Sequence, residues 1–374
     1  MSIAPLVQLN TETISREVAL DWLRGFFREK SLLLIGSGVS CALDLRFGMS
    51  ALRDALLESI ARVNLTLQQS REWSAVVEAL NKGDDLENSL NCVSDDDLID
   101  LIAEHTGNFV ASVDSEYGYS LATESRAWPA TRLLKRIVEG LPEGDPALHI
   151  ITPNYDTLLE HSCCGSGIPF TNGFTGNIVR TIDWPAAQLA LGHTSRIVRR
   201  GHSSTVFHTK KHICLHKMHG SLSYFFCNNQ LVESYAWMWN PPAGIKRVII
   251  TPGMAKYELL QRFRRELQSR ADVAIENENQ FLFLGYGFND KHLEEYISRK
   301  LVQQGCKGLI ITRDRNERIT SLMSKARQLW LVSKADLECG YGTLISRSGV
   351  ADPLLIPGKN LWNVEEFTTE IIGA

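Results

Sequence analysis

The chain reads as an α/β protein: a Rossmann-like parallel sheet with helices on both faces, plus a helical insertion. Three observations predict this. Short apolar runs, often β-branched, recur at Leu32–Ile35, Leu148–Thr152, Ile213–Met218, Val248–Thr251, Phe281–Leu284, Gly308–Thr312 and Leu329–Val332. Their length and continuity suit strands buried on both faces. Helical patterns such as Tyr257–Ala274 and Asp290–Gln304 separate several of them, and alternating strands and helices build a parallel sheet. Two of the runs pass straight into glycine turns, at Gly36-Ser37-Gly38 and Gly285-Tyr286-Gly287.

The elements follow in order. Over residues 13–30, Ile14, Val18, Leu20, Leu23, Phe26 and Phe27 recur at helical spacing, interrupted by Gly25. After the first strand and its turn, a helix is expected from Ser50, with Leu52, Leu56, Leu57 and Ile60 on one face. Residues 62–145 read as mostly helical. Ser94-Asp95-Asp96-Asp97 marks a helix start, with carboxylates near the positive end of the dipole. This block is acidic: Asp84, Asp85, Glu87, Asp95, Asp96, Asp97, Asp100 and Glu104 occur with no intervening Lys or Arg. Residues 165–212 are rich in Gly, Thr and Ser, and read as an irregular or β-rich insertion. Arg196, Arg199, Arg200, Lys210, Lys211 and Lys217 make that stretch basic. The expected organisation is an N-terminal helix over 1–30, a sheet domain over 31–335 with insertions at about 62–145 and 165–212, and a C-terminal extension over 336–374 with no readable motif.

Composition narrows the function classes. With 374 residues, 44% hydrophobic and 22% charged, the chain suits a soluble globular protein. A core of that size needs no disulfide or structural metal. A net charge of −4 argues against a wholly basic nucleic-acid binder. The eight cysteines include no C-x-x-C pair and no zinc-ribbon spacing, so reduced thiols are expected. The N-terminus has no basic region followed by an apolar run, and no apolar stretch nears the roughly 18 residues of a membrane helix. A cytoplasmic protein is expected.

Four segments carry candidate chemistry. Gly36-x-Gly38-x-Ser40 after a strand lets backbone approach a diphosphate, although Cys41 stands where a third glycine is usual; an ordinary tight turn is the alternative. In Ile151-Thr152-Pro153-Asn154-Tyr155-Asp156, strand alternation would put Asn154 and Asp156 on one side. Asn154 suits hydroxyls or a water, and Asp156 accepts from ribose hydroxyls; a plain turn is the alternative. His219-Gly220 follows an apolar strand, and its imidazole can act as a general base or be structural. Phe281 to Asp290 repeats strand, glycine turn and helix, with Asp290 as the helix cap.

Other features are weighed similarly. His212, Cys214 and His216 alternate, but such positions lie about 7 Å apart along a straight strand, too far for one small ion, so no metal is expected. Tyr235, Trp237 and Trp239 alternate and would make one aromatic face, as core, interface or base-stacking platform. Cys163-Cys164 has nothing nearby to activate a thiolate. The basic stretch suits a solvated or subunit-facing surface better than nucleic acid.

In this order the motifs resemble the sirtuin superfamily. Gly36-Ser37-Gly38-Val39-Ser40 is similar to its G-A-G-x-S loop, Thr152-Pro153-Asn154-Tyr155-Asp156 to its T-x-N-x-D motif, and His219-Gly220 to its catalytic H-G pair. The bacterial sirtuin-like NADase branch is closer. Its T-N-Y-D-x-L-x-E, K-x-H-G-S and G-Y-G-F-x-D runs resemble Asn154 to Glu160, Lys217 to Ser221 and Gly285 to Asp290. The resemblance spans about 31–315. The chain departs from deacylating sirtuins in lacking their four-cysteine zinc module and in the long insertion between Asn154 and His219. An Asp44-Leu45-Arg46 string is similar to the deacylase P-D-F-R segment but has no Pro, and is assigned no role.

The resemblance implies NAD+ as substrate and cleavage of its nicotinamide–ribose bond, with oxocarbenium character at the ribose. Asn154 would position water or ribose hydroxyls, His219 accept a proton, and Asp156 hold the ribose. Gly36, Ser37, Gly38 and Ser40 would cradle phosphate. Gly285, Tyr286 and Asp290 would border the nucleotide, and Thr312 would face the adenosine ribose. The resemblance also implies NAD+ depletion in anti-phage defence and a partner ring ATPase of the HerA type. The acidic block and the basic insertion suggest a homo-oligomer. Three alternatives stand: an NAD-dependent protein deacylase, which needs an acyl-lysine channel; a non-catalytic NAD or ADP-ribose sensor; and a nuclease, for which no acidic metal cluster is evident.

Overall fold

The computed structural model describes residues 13–199, 202–251, 258–338 and 340–373. Arg200, Cys339 and Tyr257, the first residue of an expected helix, lie outside them. The chain divides into two compact units. One is built from the chain up to Leu43, Pro129–Ile151 and the chain from Ala271; the other from Asp44–Trp128 and Thr152–Arg270.

The first unit is organised on a sheet ordered Leu354–Pro357, Gly342–Arg347, Leu329–Ala335, Lys307–Ile311, Gln280–Leu284, Leu32–Ile35 and Ala147–Thr152. Pairing is parallel from Ala147–Thr152 to Leu329–Ala335. The last two strands are antiparallel. Leu32–Ile35 and Gln280–Leu284 are buried at every position, so both faces of the sheet are covered. This is a Rossmann-like α/β arrangement. Chain order reverses between Leu32–Ile35 and Gln280–Leu284, the kind of place where open sheets form ligand crevices. The stretch after 335, which carries no motif, supplies the antiparallel edge. Helix Arg16–Phe26 is capped by Ser15, buries Ala19, Leu23 and Phe26, and stacks Trp22 on Trp330 at 4.6 Å.

The second unit contains the helices Met49–Ile60, Leu67–Asn81, Leu86–Leu90 and Asp96–Ala122. Leu52, Leu56, Ile60, Trp73, Val76, Leu98 and Ile102 form their core. Side-chain caps start three of them: Thr66 within a capping box, Asp85, and Asp95 as the Ser94–Asp97 run predicts. A further helix within 62–145, Thr131–Gly140, belongs to the first unit.

The 165–212 stretch is β-rich. A five-stranded antiparallel sheet runs in the order Lys246–Ile249, Gly220–Cys227, Gln230–Glu233, Arg180–Ile182 and Phe174–Gly176. The Val248–Thr251 run, expected in the parallel sheet, therefore pairs antiparallel with Gly220–Cys227 instead. The chain between Cys227 and Lys246 holds the strand Gln230–Glu233 instead of the crossover helix that a parallel neighbour usually needs. Here Gly220–Cys227 turns back through Asn228 and Asn229, both at positive φ as a tight hairpin requires. Gly192–Arg199 and His202–Thr209 form a separate two-stranded hairpin. Tyr235, Trp237 and Trp239 fall after strand Gln230–Glu233, so strand alternation does not apply to them. Trp237 packs edge-on against Phe225, and Tyr235 lies under the Arg180 guanidinium. Among the described residues no helix is long and apolar enough to cross a membrane.

Candidate functional site

The strand Ala147–Thr152 ends before Pro153, so the two-residue alternation expected to align Asn154 with Asp156 does not continue. A loop forms instead, and almost every residue in it is tied down. The Asn154 amide donates to Thr152 Oγ1 at 3.1 Å. Tyr155 donates its hydroxyl to the Ile250 carbonyl at 3.1 Å, and its own carbonyl accepts from the Leu222 amide at 3.0 Å. Asp156 is buried, and its Oδ1 accepts from the Leu158 amide at the entrance to helix Leu158–Ser166. Thr157 donates through its amide and its hydroxyl to Asp114, at 2.7 and 2.9 Å. Asp114 is fully buried in helix Asp96–Ala122, and Trp239 Nε1 donates to it at 2.8 Å.

His219 lies just past strand His212–Lys217. The Met218 amide donates to the Thr152 carbonyl at 3.2 Å, so Asn154 and His219 follow adjoining backbone segments. Ile250 joins them: it accepts from Tyr155 and donates its amide to the His219 carbonyl at 2.9 Å. Gly220 has φ +83°, and a Cβ there would sit 1.9 Å from the Val248 carbonyl oxygen. Only glycine lets the chain turn directly after the histidine. Asn154 and His219 are both half-buried.

The glycine segments belong to the first unit. The expected turn over Gly36–Ser40 is largely helix, because Ser37–Leu43 starts directly after Gly36. A Cβ on Gly36 would meet Gly285 O at 2.4 Å, one on Gly38 would meet it at 2.7 Å, and Gly285 has φ +53°. The Gly36 amide donates to Leu284 O, and the Gly38 amide to Gly285 O, both at 3.0 Å. These glycines thus let two backbones cross, and two of the amides expected to cradle phosphate are spent on the crossing. Ser40 is buried, whereas Ser37 is partly exposed. The Tyr286 ring packs with Phe283 and Phe288 in the core. Asp290 caps helix Lys291–Ser298 by accepting from the Leu293 amide. Thr312 is half-buried; its amide donates to Val332 O and its hydroxyl to Asp314 O.

Sequence reading missed three buried groups around Asn154. Asp114 lies mid-helix with no local signal. Lys217 and Glu160 stand inside the quoted motifs, but apolar spacing says nothing of a 2.8 Å ion pair between them. Under the second sheet, Glu233 is fully buried beside Arg180 and accepts from Asn172 and Ser223; burial pushes its carboxyl up to about 6. His212 and Cys214 approach at 3.4 Å, while His216 stacks on Trp184. Among the described residues no group of three or more His, Cys, Asp or Glu could hold a metal ion.

Residues 148–331 match the family model of the SIR2-like domain. Among solved structures, one described as "Structural Basis for the Mechanism and Regulation of Sir2 Enzymes" is similar over 81% of this chain and 88% of its own, at 10% identity and a TM-score of 0.37. No curated protein sequence matches the chain. The match covers the Asn154 loop, His219 and the Gly285 turn, so residues 148–331 are similar to a SIR2-like domain.

Proposed function

We propose that this protein is an NAD+ glycohydrolase that releases nicotinamide and leaves ADP-ribose. The observation carrying the reading is the adjacency of Asn154 and His219, set by the Met218–Thr152 hydrogen bond and by Ile250. Loss of the cationic nicotinamide builds positive character on the ribose. Asn154, with a donor and an acceptor, orients the attacking water or the ribose hydroxyls. His219 takes the proton released from that water or hydroxyl. The loop around Asn154 is held at four successive residues, so its amide needs little reorganisation to act. Asp156 holds the ribose, and Gly36, Ser37, Gly38, Ser40, Gly285, Tyr286, Asp290 and Thr312 are the remaining NAD+ contacts of this reading. For Tyr286 and Asp290 a supporting role fits their burial and capping better than direct contact.

The test is nicotinamide release from NAD+ by the purified chain and by Asn154→Ala, with and without an acetylated peptide. Release without peptide, lost in the variant, is expected. Release that requires peptide would make the protein a deacylase, and NAD+ binding without release would make it a sensor. The wider role rests on the family resemblance: unregulated NAD+ loss is toxic, and the resemblance implies defence against phage, with a HerA-type ring ATPase as partner and a cytoplasmic setting. Expression with phage challenge should deplete cellular NAD+; unchanged NAD+ would remove that role. A homo-oligomer is also proposed, from the opposed charges of the acidic helices and the basic hairpin.

A further inference from the structure

Lys217 is 2% exposed and Glu160 is 3% exposed. The Lys217 ammonium donates to Glu160 Oε1 at 2.8 Å and also to the main-chain carbonyl of Asp156. Glu160 sits in the first turn of helix Leu158–Ser166, directly after the Asn154 loop. Lys217 is two residues before His219, at the end of the strand that leads to it. The pair therefore clamps the segment bearing Asn154 to the segment bearing His219.

Stability alone does not account for such a pair. Desolvating two charges costs about as much as their attraction returns, and apolar replacement of both is often neutral or stabilising. An apolar pair would lack one thing: a donor for the Asp156 carbonyl. We infer that the Lys217–Glu160 pair is a positioning device, with Glu160 orienting the ammonium and Lys217 fixing the Asp156 carbonyl so that Asn154 keeps its place relative to His219. Neither residue touches substrate in this scheme. The inference rests on the glycohydrolase reading for its kinetic consequence, but not for its structural one.

The experiment compares wild type, Lys217→Met and the double variant Lys217→Met/Glu160→Met. Denaturant unfolding, kcat and KM for NAD+, and amide hydrogen exchange between Asn154 and Leu158 are measured on each. Lys217→Met strands a buried carboxylate and should lose stability. The double variant should regain most of that stability, yet stay about 10²-fold down in kcat, the scale of a small misplacement in a reacting geometry. Its KM should change little, and its loop amides should exchange faster. Stability and kcat both restored in the double variant would overturn the inference, because the pair would then be merely structural. If Lys217→Met does not fold, the double variant decides. If wild type releases no nicotinamide, the reaction reading fails by itself. Exchange still decides the clamp: faster exchange in the double variant upholds it, and unchanged exchange overturns it.

Discussion

Asp114 shows how one buried carboxylate can organise a loop it is distant from in sequence. It accepts from the Thr157 amide, the Thr157 hydroxyl and the Trp239 indole. Asp114→Ala would leave the buried Thr157 amide without its acceptor, at about 1–3 kcal/mol, and would also free the part-buried Trp239 indole N–H. A fall of about 3 kcal/mol in unfolding free energy is expected by urea titration, together with a loss of turnover. Retained stability would mean that the loop finds other partners. His219 makes the complementary case. Its carbonyl is held by Ile250, so changing the side chain leaves the backbone anchor intact. His219→Ala should keep wild-type unfolding while cutting nicotinamide release by about 10²–10⁴-fold, the usual worth of a general base. Unaltered release would remove the histidine from the mechanism.

The crossing of the Gly36–Gly38 segment with Gly285 gives the glycines a role independent of any ligand. Gly38→Ala sets a Cβ against backbone that cannot swing away, and overpacking of this kind costs about 1–3 kcal/mol. Gly285→Ala should cost as much or more, since φ is +53° there. Both strike one contact, so their effects should fall short of additive in a double-mutant cycle. Wild-type stability with lost NAD+ binding would instead mark a pure phosphate loop. Among the acidic helices, Glu72 links helix Leu67–Asn81 to the start of Asp96–Ala122, accepting from the Ser94 and Asp95 amides at 2.7 and 2.9 Å. Burial works to raise its pKa, but these hydrogen bonds outweigh it and lower the carboxyl from 4.5 to about 2. A lowered carboxyl stabilises the fold above the unfolded value, and that stability drains away as pH falls from about 4.5 to 2. Glu72→Gln should flatten this part of the acid-unfolding curve; an unchanged slope would assign the acid sensitivity elsewhere.

Charge is distributed unevenly over a chain whose net charge is only −4. Asp84, Asp85, Asp96, Asp97 and Glu104 are exposed on or beside the helices of the second unit. The hairpin Gly192–Arg199/His202–Thr209 carries no acidic residue and, among the described residues, pairs with no further strand; a two-stranded hairpin by itself is marginally stable in water. Docking of the hairpin on the acidic helices of a second copy would satisfy both. Reversing Arg196, Lys210 and Lys211 to Glu should lower the assembly mass measured by light scattering. Mixing that variant with one carrying Asp96→Lys and Asp97→Lys should restore it. A monomeric wild type would contradict the homo-oligomer outright.

Apolar runs and caps report their own neighbourhoods, and they sufficed for much of this protein. Leu32–Ile35 and the apolar parts of Gln280–Leu284 and Lys307–Ile311 are recognisable because strand positions buried on both faces must be apolar. Asp95 and Asp290 are recognisable as helix caps because capping is a contact between residues three apart. The paired segments Asn154–Glu160 and Lys217–Ser221 were visible as motifs, but their meeting was not. The tertiary structure alone decided that Met218 would bond to Thr152, that Lys217 would bury its charge against Glu160, and that Asp114 would reach Thr157. It also decided that Lys246–Ile249 would join an antiparallel sheet, and that Gly38 would lie against Gly285. Each of these is a contact between segments far apart along the chain. Local periodicity carries no record of which distant carbonyl, carboxylate or backbone a residue will meet; packing sets that once the elements assemble.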